Sequence, residues 1–294
     1  MEGYSYEIIT DTCSNLSEAQ AKKYGVKIIG FPYTINGEEH TDDPKEKTFE
    51  IKDVYELLKK KTDVKTSLIN SLKIEEFLEA FLKEGKDVLY ITISGGISGT
   101  YANAEIAAKN LSEKYPDRKI MVVDSLSGSY TQGIIVVKTS KKREAGATVT
   151  EAYEYAMKIR NFATHDFTID NLFFLRRSGR VSNSTALIGT LAMIKPMFTL
   201  DKAGKLIVYT KVNGRKKSLS TIIENFKKNI DPENADYIGI VHGDCEKEAE
   251  TIRDKVIEIF PKAEIFFDYL TPLVGSHTGP GAIGLLYVAK AARA

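Results

Sequence analysis

Through the first half of the chain, short apolar runs rich in β-branched residues alternate with polar turns and with stretches of helical period. Tyr6–Thr10, Val26–Tyr33, Val88–Ile93 and Lys119–Val123 read as strands. Gly30 and Pro32 mark the second of these for an edge position or an early end. Ser17–Tyr24, Phe49–Lys60 and Ile74–Lys83 carry helical periodicity, as does the stretch through Ala104, Ala107, Ala108 and Leu111. A helix from Tyr130 to about Arg143 closes at Gly146, and Thr148-Val149-Thr150-Glu151 fits a capping box opening another that runs to about Phe162. Asn36-Gly37 signals a hairpin, and Thr66 and Ser67 lie between two helices. Strand, polar turn and helix in repeated succession specify a mainly parallel sheet covered by helices, with its ligand beyond the carboxyl ends of the strands. The turns after Thr10, Ile93 and Val123 are therefore expected to crowd one edge.

The second half has a different pattern. Thr168–Leu175 is strand-like, followed by the basic turn Arg176-Arg177-Ser178-Gly179-Arg180 and an apolar helical run over Ser184–Met193. Met197–Leu200 and Lys205–Val212 flank Asp201–Gly204 as a hairpin. Helices over Ser218–Lys228 and Lys247–Ile259 alternate with strands over Tyr237–His242 and Ala263–Tyr269. A Gly/Pro-rich loop, Gly275–Gly281, carries His277 into a last strand, Ala282–Val288. The expected fold is α/β in two domains, residues 1–163 with a mainly parallel sheet and residues 164–294 with a mixed sheet.

Composition narrows the function. With 41 Lys and Arg against 40 Asp and Glu, the net charge of +1 gives no electrostatic footprint for nucleic acid. The Lys-rich patches Lys59–Lys61 and Lys138–Arg143 read as solvated helix faces. Cys13 and Cys245 are too far apart in sequence for a metal motif, and four histidines without ligand spacing predict no metal site. The first residues lack a basic segment followed by an apolar one, and no apolar run approaches the roughly 20 residues that span a bilayer, so a cytoplasmic protein is expected.

The stretch Asp87–Ala104 concentrates the chemistry. A buried strand breaks into Ser94-Gly95-Gly96-Ile97-Ser98-Gly99-Thr100 and feeds a helix, placing amides and hydroxyls where an anion fits. The loop lacks the Lys-Ser/Thr of a P-loop, no dinucleotide fingerprint follows the first strand, and Thr100 stands where a nucleophile elbow needs glycine. Hydroxyl donors at Thr66, Ser67, Ser98 and Thr100, with His277 and Arg215, suit a buried carboxylate, which needs hydrogen bonds and compensating charge to stay ionised. Two other readings use the same residues: a serine hydrolase or acyltransferase with Ser98 as nucleophile and His277 as base, and a protein binding a phosphorylated ligand.

Taken in order, Ile9-Thr10-Asp11-Thr12, Thr66-Ser67, Ile93–Tyr101, Val123-Asp124-Ser125, Gly179-Arg180-Val181-Ser182, Ile194-Lys195-Pro196, Gly214-Arg215 and His277–Gly281 resemble the DegV family of bacterial fatty-acid-binding proteins nearly end to end. The resemblance implies a non-enzymatic carrier without cofactor, holding one long-chain fatty acid between two α/β domains. Thr66 and Ser98 would bind the carboxylate, and His277, Arg215, Ser67 and Thr100 would surround the head group. It also implies a separate ATP-dependent fatty acid kinase subunit as partner, which phosphorylates the carboxylate for phospholipid synthesis. A monomer that touches the membrane surface transiently fits this role. Leu187, Ile188, Leu191, Met193 and Ile194 are candidates for the tunnel wall. The chain departs from the family pattern at Leu68-Ile69, where Gln-Pro is usual, and at Gly95, where a second Ser is usual.

Overall fold

The computed structural model describes residues 4–45, 49–180 and 193–293. β1 (Tyr6–Asp11) is buried throughout and enters a 3-10 turn at Thr12–Ser14. A capping box between Ser17 and Gln20 opens α1 (Glu18–Lys23), which returns the chain to β2 (Val26–Ile29). The single strand expected over Val26–Tyr33 is two strands in two sheets. At Gly30 the chain leaves the parallel sheet for β3 (Phe31–Ile35), and a Cβ there would lie 2.7 Å from Thr41 Cγ2. Asn36 and Gly37, both at positive φ, turn the chain into β4 (Glu38–Asp42), as a two-residue hairpin requires. After α2 (Ile51–Lys59), the stretch expected to be a plain connection supplies β5 (Val64–Thr66), which completes a small antiparallel sheet ordered β4-β3-β5.

α3 (Ser71–Lys83), capped by Asn70, leads to β6 (Asp87–Thr92), then α4 (Thr100–Lys114) and β7 (Ile120–Asp124). The four-stranded sheet β2-β1-β6-β7 is parallel at every pairing. α5 (Tyr130–Glu144) and α6 (Val149–Ile159) follow, the latter opened by the Thr148–Glu151 capping box. α5 packs against β1 and β6 on one side and against β8 (Ala163–Thr168), β11 (Tyr237–His242) and β13 (Ile283–Val288) on the other. Lying between two sheets, α5 keeps only Lys141 and Lys142 of this stretch exposed, so the expectation for Lys138–Arg143 fails at two positions. Lys138 and Arg143 are buried. The Arg143 guanidinium donates to the carbonyls of Tyr24 and Gly25 at 3.1 and 2.8 Å, and Lys138 pairs with Asp236.

The strand expected over Thr168–Leu175 lies earlier, as β8, and residues beyond Asn171 form α7 (Phe173–Ser178). The Asn171 side chain accepts from the Phe173 amide at 2.9 Å, and Gly179 closes the turn at φ +68. β9 (Ile194–Leu200) and β10 (Leu206–Asn213) form the expected hairpin, followed by α8 (Arg215–Asn229). Beyond β11 come α9 (Glu246–Ile259) and β12 (Glu264–Tyr269). The segment expected as a loop around His277 is instead α10 (Pro272–Thr278), with Pro272 in its first turn where a missing amide costs nothing. The second sheet, β10-β9-β8-β13-β11-β12, is mixed. One buried cluster runs from Ile8, Leu89 and Ile91 through α5 to Phe198, Val241 and Leu286, so the two sheets share a core. None of the described helices is long and apolar enough to cross a membrane.

Candidate functional site

The carboxyl ends of β1, β6 and β7 meet as the alternating pattern requires. The Asp11 carboxylate accepts from the amides of Ile93 and Cys13 at 2.9 and 3.0 Å and from Gln132 Nε2 at 3.2 Å. No cation is among these partners, and burial pushes its pKa up to about 6. This carboxylate ties the first turn to the Ser/Gly loop. Asp124 Oδ1 ties in the third turn, accepting from the amides of Gly95 and Leu126 at 3.1 and 2.8 Å.

Ser94 sets the loop's shape. Its carbonyl accepts from the amides of Ile97 and Ser98, and its Oγ donates 2.9 Å to the Gly204 carbonyl in the β9–β10 turn. Gly96 lies against that turn, where an added Cβ would fall 2.6 Å from the Ala203 and Gly204 backbone. At Gly95 an added Cβ would lie 3.0 Å from Asp124 Oδ2 and 3.2 Å from the Tyr101 ring, a tight fit for the serine usual in the family. Ser98 Oγ donates to Thr100 Oγ1 at 3.1 Å. Thr100 Oγ1 in turn accepts from the Ile69 amide at 3.3 Å, and Asn103 donates to the Ile69 carbonyl at 2.9 Å. The substituted Leu68-Ile69 segment is thus clamped to the loop, with Ile69 fully buried and Leu68 half exposed.

Thr66 ends β5, and its Oγ1 lies 2.9 Å from Nε2 of His277 on α10. Burial, with the positive charges of Arg180 and Arg177 nearby, pushes the His277 pKa down to about 4, so the imidazole is neutral at pH 7. Thr66, Ser98, His277 and Arg180 all border one cavity of about 980 Å³, its open mouth included. The remaining wall is largely apolar, drawn from Ile93 and Ile97 of the loop, Leu175 of α7, and strand residues such as Phe167, Leu200 and Leu286. The space lies between the carboxyl edge of the first sheet and the face of the second.

Not every expected residue is here. Thr100 is buried behind the wall, where it positions Ser98 and Ile69, and exposed Ser67 lies outside the lining, its amide donating to the Pro32 carbonyl at 3.0 Å. Arg215 is outside the lining, held by Glu248 with its Nη2 at 2.6 Å from Oε2. Of the two cations near His277, Arg180 is the one that lines the cavity, and its position in the Gly179-Arg180 motif was the available signal. Met193 is 65% exposed and, like Ile194, does not line the cavity, while Leu187, Ile188 and Leu191 fall outside the described residues. Ser98 and His277 each bond a threonine rather than one another, an arrangement unlike a nucleophile with its base. Among the described residues there is no cluster suited to a metal.

Residues 5–290 match the model of the DegV family, described as an uncharacterised protein family. The chain belongs to the DegV family. It is 34% identical to the DegV domain-containing protein CPE0026 of Clostridium perfringens over 96% of this chain and 97% of the relative. A DegV family protein of Streptococcus agalactiae, described as fatty acid binding, has a solved structure that matches with a TM-score of 0.85 at 26% identity. That match covers 98% of this chain and 100% of the other. A DegV family protein of Thermus thermophilus, whose structure is described for its fatty acid binding, matches with a TM-score of 0.84 at 25% identity, covering 96% and 99%. The DegV fold, a parallel sheet followed by a mixed one, is therefore that of the present chain.

Proposed function

We propose that this DegV protein binds one long-chain fatty acid, with its carboxylate at Thr66 and Ser98 and its tail in the cavity between the sheets. The observation that carries this is a largely apolar cavity bordered by two hydroxyl donors, a neutral imidazole and the guanidinium of Arg180. A methylene leaving water contributes about 0.8 kcal/mol, so a tail of roughly 16 carbons gains on the order of 12 kcal/mol gross. The head group needs donors and positive charge to remain ionised on entry. The fatty-acid-binding DegV proteins of similar fold support the same ligand class.

In this reading the protein is a carrier, and the chain divides at 163/164 with the ligand between the halves. Its carboxylate is presented to a separate ATP-dependent kinase. A carboxylate oxygen attacks the terminal phosphorus of ATP, the bond to the ADP oxygen breaks, and an acyl phosphate forms. Mass spectrometry of small molecules released on denaturation tests the ligand: a long-chain fatty acid near one per chain is expected. An empty protein that also fails to bind palmitate and oleate refutes the reading. The kinase step is tested by incubating the loaded protein with a cognate kinase and ATP, and absence of acyl phosphate across several fatty acids counts against it.

A further inference from the structure

Along β8, Phe167 and His165 share the face turned to the cavity and both line it, while Asp166 between them faces the other way and accepts from Tyr287 and Asn225. The sheet register pairs Thr168 with Ile283 and His165 with Leu286. His165 therefore lies three positions, roughly 10 Å, along the strands from the end of β13 nearest His277. One ring nitrogen of His165, Nδ1, is 3.1 Å from Thr131 Oγ1. The other, Nε2, is sealed from solvent and has no partner among the described residues. Ser129, which lines the same cavity, precedes α5, and that helix has no side-chain cap at its N-terminus. A polar spot is thus built into an apolar wall, apart from the head-group donors, and a plain hydrocarbon chain would leave it unsatisfied.

Resting on the fatty-acid reading, we propose that His165 is a specificity residue that selects an acyl chain carrying a hydroxyl group part-way along its length. The two tautomers of His165 decide the chemistry. If Nδ1–H donates to Thr131, Nε2 is a bare acceptor; if Thr131 donates to Nδ1, Nε2 carries the proton. A hydroxyl, being donor and acceptor, satisfies either state, whereas a keto oxygen, an ether or a double bond satisfies only the second.

The test is a positional series of hydroxyoctadecanoic acids bound in competition with octadecanoic acid. One isomer, with its hydroxyl at the depth of His165, is expected to bind about five- to fifty-fold tighter than octadecanoic acid. Isomers with the hydroxyl elsewhere bind more weakly, because that hydroxyl is buried without a partner. His165→Leu should abolish the preference among the isomers. In the wild type, the Nε2 nitrogen-15 resonance should move with the preferred isomer and stay fixed with octadecanoic acid, a readout independent of whether the variant folds. Octadecanoic acid bound with no isomer preferred, a preference that survives in His165→Leu, or an unmoved Nε2 resonance each overturns this proposal alone. A bound water satisfying Nε2 gives the first and last of these results. Failure of octadecanoic acid itself to bind removes the fatty-acid reading and the specificity proposal with it.

Discussion

Replacing Thr66 with valine keeps the volume and the β-branch of the side chain while removing the one oxygen that faces His277. A hydrogen bond to an ionised carboxylate contributes about 1.5–3 kcal/mol, which corresponds to roughly a 10- to 150-fold loss of affinity for the fatty acid. Binding is weakened rather than abolished, because the tail's gross gain of about 12 kcal/mol is untouched. The same substitution leaves His277 Nε2 without its partner, so the ligand-free protein should lose about 1–3 kcal/mol of stability. Titration calorimetry with oleate on wild type, Thr66→Val, Ser98→Ala and the double variant measures the first effect. Two donors serving one carboxylate should be coupled, giving a double loss that differs from the sum of the single losses. Ser67→Ala is the control, since Ser67 is exposed and outside the lining. Affinities within two-fold of wild type for both single variants and the double variant would refute the placement of the carboxylate.

Arg180→Gln should weaken fatty-acid binding several-fold and Arg215→Gln should not, because Arg180 borders the cavity and Arg215 is held by Glu248; equal effects in calorimetry would contradict this. Gly96→Ala should lower the melting temperature by several degrees, because the new Cβ meets backbone atoms of Ala203 and Gly204 that cannot rotate away; an unchanged melting curve would show that the turn yields. The two buried histidines of the cavity should make the protein more stable to urea at pH 7 than at pH 4.5. His277 and His165, pushed by burial down to about 4 and about 3, each contribute stability that is present above the ordinary histidine value and lost as pH falls toward the folded one. Asp11, raised to about 6, opposes them in part, since its folded form favours the proton and that advantage is lost as pH rises through 6. A flat pH profile between those values would place these groups in contact with water.

Local pattern alone determined most of the elements: the parallel strands, the Thr148–Glu151 capping box, the Asn36-Gly37 turn and the hairpin around Asp201–Gly204. Each depends on periodicity or on a residue's own backbone preferences, which act over a few positions. The Ser/Gly loop and the Thr66-Ser67 pair were also legible as candidate anion donors, since a broken strand feeding a helix exposes amides whatever lies around it. Tertiary structure decided the rest. Gly30 splits a continuous apolar run because a second sheet needs its own strand there, and α5 buries Lys138 and Arg143 because it lies between two sheets rather than on one. Only packing over some 200 residues of chain brings His277 to Thr66 and Arg180 to the same cavity, and it turns Arg215 away to Glu248 although its motif is as clear as the others. The cavity wall is assembled the same way, from alternate residues of strands far apart in sequence. His165 is the sharpest case: as a lone histidine it carries no signal, and only the fold sets its Nδ1 against Thr131 and leaves Nε2 buried with no partner among the described residues.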